Sequence, residues 1–279
     1  MIIDSHCHAG KGDKMTAPWN TNAPLEKYLR RARAAGIDKT IVMPAPLRGD
    51  YHQANRELAR IISRFPDRLI GFAFVHARRD AGRISQMVKH AVTRWGFRGI
   101  KVHGFEAMPT REVCETARDL HIPILVDVVS RPEIVDMIAP EYPDVNFIVA
   151  HLGSFTDDWK AHQHVAYQLA RYPNVYADTS GVRQFEYVVE AIRRGGAHKV
   201  LFGSDGPWLH SGLELHKIRL LGLPPDQEAL ILGGNILRLL QKARTGHGRL
   251  ERRSRIERIN QQIIGATESD RPHAINTFT

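Results

Sequence analysis

The chain begins MIIDSHCHAG, placing His6 and His8 one residue apart at the end of its first apolar run. In an extended strand successive side chains alternate faces, so His6 and His8 share one face and Cys7 takes the other. Two imidazoles at that spacing can grip one metal ion. Groups with related chemistry close later apolar runs: His76 after RLIGFAFV, Lys101 and His103 in RGIKVH, Asp127 in IPILVDV, His151 in VNFIVAH, Asp178 in NVYADTS and Asp205 in KVLFGSD. Burying such groups without partners is costly, and a metal ion with a polar substrate would offset that cost. Imidazole nitrogen with carboxylate oxygen suits zinc, and manganese, iron or cobalt accept similar sets. The expected cofactor is therefore one divalent ion, zinc first. A catalytic ion keeps a position open for water and lowers its pKa, and a neighbouring carboxylate or imidazole collects the proton. Asp205 is the candidate base, with His151 placed to orient or polarise. Asp178 in YADTSG reads as structural. Thiol chemistry is thin: Cys7 and Cys114 support neither a disulfide framework nor a CxxC zinc motif.

These residues need elements to bring them together. The runs MIID, KTIVMP, RLIGFAFV, RGIKVH, IPILVDV, VNFIVAH, NVYADTS and KVLFGSD are short, apolar and rich in β-branched residues. Amphipathic stretches such as PLEKYLRRARAAG, YHQANRELARIISRF, DAGRISQMVKHAVTRWG, TREVCETARDL, PEIVDMIAPEY and FEYVVEAIRRGG lie between them. Gly36, Gly96 and Gly195 read as helix stops, and Asp80 and Thr110 as helix starts. Strands buried on both faces and alternating with helices predict a parallel sheet. Eight such repeats in this length predict an α/β fold of the (β/α)8 TIM-barrel type, whose active site gathers at the C-terminal ends of the strands. An open doubly wound sheet is the rival, but no GxGxxG loop follows the first strand. After the eighth strand, GLELHKIRLLG and PDQEALILGGNILRLLQKA are helical in pattern. The barrel is assigned to residues 1–241, and 242–279 to a basic, flexible C-terminal tail. The loops KGDKMTAPWNTN and LHSGLELH are expected to shape the pocket.

With 279 residues, 43% hydrophobic and 25% charged, the composition is that of an ordinary globular protein. No run reaches the roughly 18–20 apolar residues of a membrane span, and Met1 leads directly into IID without a basic, then apolar, leader. A cytoplasmic location without membrane contact is expected. The net charge of +9 is concentrated toward the C-terminus, in QKARTGHGRLERRSRIER. A solvated extension explains it more simply than a nucleic-acid surface, and positive charge also suits an anionic substrate. A homo-oligomer is compatible with the sequence.

The segments IIDSHCH, GFRGIKVHG, YPDVNFIVAHLGS, YPNVYADTSG, KVLFGSDGPW and LGGNILRLL, in that order, resemble the amidohydrolase superfamily. The resemblance is to its amidohydrolase-related branch, which includes aminocarboxymuconate-semialdehyde decarboxylase, and it runs over residues 1–241. It implies metal ligation by His6 and His8, a proton-handling ligand at Asp205, and an acid/base or water-orienting role for His151. One departure stands out. The strand-five histidine, normally a ligand, is replaced by Asp127, which as a ligand would make a more anionic site of two imidazoles and two carboxylates. His103 leaning in is the alternative. Binuclear relatives carry a carboxylated lysine on strand four, where Lys101 stands, but a second ion here would be short of ligands.

The resemblance thus implies a metal-dependent hydrolase in which activated water attacks an amide, ester or lactone of a small carboxylated substrate. Lys101, His103 and Trp208 are placed to frame that substrate. Non-oxidative decarboxylation of a small carboxylate is the alternative reaction. A non-catalytic scaffold with a decayed metal site is the alternative class, kept open by Asp127. A barrel nuclease fits less well, because those enzymes carry a strand-four glutamate where this chain reads IKVH.

Overall fold

The structure is a computed structural model that describes residues 1–10, 25–46 and 49–241. Its strands are β1 (Ile3–His8), β2 (Lys39–Met43), β3 (Leu69–Phe74), β4 (Gly99–His103), β5 (Ile124–Asp127), β6 (Phe147–Val149), β7 (Val175–Asp178) and β8 (Val200–Leu201). They pair in parallel and in chain order, as eight strands of one sheet. The sheet curls until its edges meet. Across that seam the Ser5 amide donates to the Phe202 carbonyl at 2.9 Å and the Asp205 amide to the His6 carbonyl at 2.7 Å. The (β/α)8 barrel anticipated from the β-α alternation is the architecture found.

The strands form because alternate side chains fill two different cores. Ile100, Val102, Ile124, Val126, Val175 and Ala177 face outward into a large cluster beneath the helices. Ile3, Ile41, Met43, Phe72, Leu125, Ile148, Tyr176 and Leu201 fill the barrel interior. This two-period alternation also turns Lys101, His103, Asp127 and Asp178 inward. The helices are α1 (Leu25–Ala34), α2 (Tyr51–Ser63), α3 (Ile84–Trp95), α4 (Arg111–Leu120), α5 (Glu133–Ile138), α6 (Trp159–Arg171), α7 (Phe185–Gly195), α8 (Ser211–Arg219) and α9 (Pro225–Ala229). The sequence reading did not delimit α6. Its start is fixed by Asp158, whose carboxylate accepts from the Lys160 and Ala161 amides.

Helix ends differ in detail from expectation. Gly96 caps α3 in the left-handed conformation as anticipated, but α7 runs through Gly195 and stops at Gly196. Asp80 does not cap α3; its carboxylate accepts from the His76 amide and the Arg83 guanidinium instead. Thr110 holds the cap position of α4 without a side-chain hydrogen bond.

The LGGNILRLL segment closes the N-terminal end of the barrel. Ile236, Leu239 and Leu240 insert into the interior cluster. The Asn235 amide anchors this plug by donating to the Ala197 and Val200 carbonyls at 2.8 and 2.7 Å. A side chain at Gly233 would strike the Met1 carbonyl. Among the described residues no helix is long and apolar enough to cross a membrane. The assigned tail, 242–279, and the loop KGDKMTAPWNTN lie outside the described residues.

Candidate metal centre

The site begins with an irregularity in β1. The pairing register with β2 shifts between Asp4 and Cys7. Ile3 faces the barrel interior and would ordinarily send His6 and His8 outward. The shift reverses this, so both histidines line the interior cavity while Cys7 packs in the outer cluster. Asp4 holds the bend. Its carboxylate accepts from the His6 amide at 3.1 Å, the Ser204 amide at 2.9 Å, and the hydroxyls of Tyr28 and Ser204.

Three imidazoles then turn the same nitrogen inward. His6 Nδ1 meets Asp178 Oδ2 at 3.0 Å, His8 Nδ1 meets the Pro44 carbonyl at 2.9 Å, and His151 Nδ1 meets the Ser180 carbonyl at 2.8 Å. At His6 and His8 the acceptor fixes the proton on Nδ1 and leaves Nε2 as a lone-pair donor, whereas His151 Nε2 faces the Asp127 carboxylate at 3.5 Å. His8 Nε2 lies 3.4 Å from Asp205 Oδ1, and His6 Nε2 lies 3.8 Å from the same oxygen. Ligand atoms of His6, His151 and Asp205 all fall within 4.8 Å of one another. Donors of a tetrahedral zinc site stand about 3.3 Å apart, so this set suits a divalent ion.

Two positions behind the imidazoles escaped the functional reading of the sequence. Asp178, read there as structural, supports the His6 ring with Oδ2 while Oδ1 accepts from the His151 and Ser180 amides. Gly203 leaves space for this contact: a Cβ there would stand 3.1 Å from the His6 Cβ and 3.2 Å from Asp178 Oδ1. The tripeptide after Phe202, with a glycine two residues ahead of Asp205, was the available signal.

The remaining polar groups gather on the other side of the floor. Asp127 Oδ2 lies 3.2 Å from His103 Nε2 and 3.5 Å from His151 Nε2, and its Oδ1 accepts from the Val129 amide. Lys101 is fully buried, with Nζ 3.3 Å from His6 Nε2. His151 follows β6 in a left-handed turn with Leu152, and Asp205 is also left-handed. Such backbone conformations aim side chains that a continued strand would point elsewhere.

Burial governs the protonation of this cluster. It lowers His6 to about 4, helped by the Lys101 charge, although Asp178 opposes the shift. Burial lowers His103 to about 4 and Lys101 below its usual range. For His151 burial pulls downward, but the contact with Asp127 and the other carboxylates wins and holds it at about 9. Burial would raise Asp127 and Asp205, yet the neighbouring imidazoles keep both below the ordinary carboxylate value.

One cavity of about 370 Å³ contains the eight residues singled out for metal, catalysis or substrate: His6, His8, Lys101, His103, Asp127, His151, Asp205 and Trp208. Its upper wall adds Pro46, Phe105, Val129, Ser130, Phe155 and Thr156, none of which pattern alone identified. Trp208 packs against His8, with ring centroids 4.7 Å apart, and its buried Nε1 has no partner among the described residues. Phe155 stands edge-on to His151 at 5.1 Å. His76 does not join the cavity; its Nδ1 accepts from the Arg79 amide in the turn after β3. The stretch LHSGLELH mostly builds the start of α8 and contributes no lining residue.

The sequence model of a family described as amidohydrolase matches residues 3–242. No curated protein matches the chain. Among solved structures, an amidohydrolase from Burkholderia multivorans with bound zinc superposes with a TM-score of 0.71 at 15% identity, over 86% of this chain and 99% of that one. A dihydroxybenzoic acid decarboxylase from Polaromonas, holding manganese and 2-nitroresorcinol, gives 0.68 at 17% identity over 86% and 96%. A 4-oxalomesaconate hydratase from Rhodopseudomonas palustris gives 0.63 at 19% identity over 90% and 100%. At these identities the likeness is one of fold.

Proposed function

The chain belongs to the amidohydrolase family, and on that premise we propose that it is a divalent-metal-dependent hydrolase of small carboxylated substrates. The observation that carries this reading is the approach of His8 and His6 Nε2 to Asp205 Oδ1, at 3.4 and 3.8 Å, beside His151 on one cavity floor. His6, His8 and Asp205 would hold the ion, beside His151. Asp127 is the partner of His151 and His103 rather than a principal ligand, because its Oδ2 faces those two rings. Zinc is the first choice on donor chemistry, and manganese fits the same set. When bound, the ion supplies Lewis acidity toward a carbonyl oxygen and toward water.

The chain's own residues do the rest. Asp205 takes the proton from the attacking water. His151, charged through its contact with Asp127, donates to the leaving group. Lys101 stabilises negative charge developing on the carbonyl oxygen. Trp208 walls the floor through its packing on His8. The aromatic wall of Phe105, Phe155 and Trp208 keeps water away from the floor.

Non-oxidative decarboxylation is the second reading. It is favoured by the apolar upper wall, which fits a planar acid, and by the shared fold of the Polaromonas decarboxylase. In that reaction His151 would deliver its proton to the carbon that loses carbon dioxide. A metal-replete screen of small carboxylated amides, esters, lactones and aromatic acids separates the two. Appearance of the hydrolysed acid without carbon dioxide supports hydrolysis, carbon dioxide supports the second reading, and neither product from any substrate contradicts both.

A further inference from the structure

Val129 and Ser130, directly after β5, are consecutive left-handed residues with φ of 49° and 58°. A positive φ is uncommon for any residue with a side chain and strongly disfavoured for a β-branched one, because the branched Cβ crowds the backbone. The surrounding bonds impose it. The Val129 amide donates to Asp127 Oδ1 at 2.9 Å, the Ser130 amide to the Gly153 carbonyl at 2.9 Å, and the Ser130 hydroxyl to Ser154 Oγ at 2.8 Å. Arg131 ties the same turn to the loop after β4 through the Gly104 carbonyl at 3.0 Å. Glycine or asparagine would satisfy this turn with less strain, so the backbone alone gives no reason for valine. Val129 is also half-buried on the wall of the cavity, next to Asp127. Strain held at a ligand-facing position is a mark of function, and a β-branched side chain makes a stiff wall.

We propose that Val129 is a specificity-determining residue that limits how broad an acid the cavity admits beside Asp127 and His151. The proposal rests on the reading of the cavity as a carboxylate site and adds the residue that selects among carboxylates. The test measures binding of benzoate and of the broader 1-naphthoate to manganese-loaded protein by calorimetry. Wild type is compared with Val129→Gly, which removes both the strain and the side chain, and Val129→Asn, which eases the strain but keeps the bulk. Wild type should prefer benzoate, Val129→Gly should shift the preference toward 1-naphthoate by about tenfold, and Val129→Asn should keep the wild-type ratio. Both variants should melt no lower than wild type. An unchanged ratio in Val129→Gly, or an equal shift in both variants, overturns the assignment while leaving the carboxylate site standing. Failure of loaded wild type to bind either acid removes the carboxylate site and the assignment together.

Discussion

Asp178 Oδ2 lies 3.0 Å from Nδ1 of His6, and both side chains are fully buried. The contact fixes which nitrogen of His6 faces the cavity and raises its strength as a donor. Asp178→Asn keeps the shape and removes the charge. Its zinc affinity, measured by competition with a chelating dye, should fall about 10–100-fold with the circular dichroism spectrum unchanged. Wild-type affinity in this variant would show that the carboxylate only packs.

Lys101 places a buried ammonium 3.3 Å from His6 Nε2, the atom assigned to the ion. A cation there opposes a second cation and attracts an anionic substrate. Lys101→Met should therefore bind zinc about tenfold more tightly and benzoate about tenfold more weakly. Movement of both affinities in the same direction would contradict this placement.

His103 titrates near 4 because burial disfavours its charged form, with Asp127 opposing the shift. Its unfolded value is about 6.5, so between about pH 4 and 6.5 the unfolded chain holds a proton that the folded chain lacks. Stability of the metal-free protein therefore rises with pH across that window and is lost on acidification. Urea midpoints recorded from pH 4 to 7 should show this rise, and His103→Gln should flatten it by up to one proton's worth of slope. An equally steep rise in the variant would remove His103 as a source.

Burial pushes the Cys114 thiol up to about 12 and Cys7 well above its usual value. Neither is a thiolate at neutral pH, and both are shielded from solvent. Native protein should show no rapid reaction with Ellman's reagent, and guanidinium should release two thiols. Prompt labelling of a thiol in native protein would contradict the burial.

What the sequence made legible were features governed by short-range periodicity. Alternation put His6 and His8 on one shared face and Lys101, His103 and Asp127 on inward faces, and the repeated strand-helix pattern implied the barrel that gathers them. Left hidden were relationships between distant segments. The register shift near Asp4 depends on hydrogen bonds from Tyr28 and Ser204, far away in sequence. Asp178 shows its partnership with His6 only when β7 and β1 are seen across the barrel. His76 misled for the opposite reason: a turn after β3 satisfies its ring locally with the Arg79 amide. Val129 carries no sequence signal, because valine is an ordinary strand residue and its left-handed backbone is imposed by contacts from neighbouring loops.

The central claim is that His6, His8 and Asp205 hold one divalent ion, and elemental analysis of purified protein tests it most directly. Protein expressed with added zinc or manganese and freed of loose metal should carry about one ion per chain. His6→Ala and Asp205→Ala, with unchanged circular dichroism, should carry almost none. Wild type without metal, or either variant retaining a full equivalent, would contradict the account.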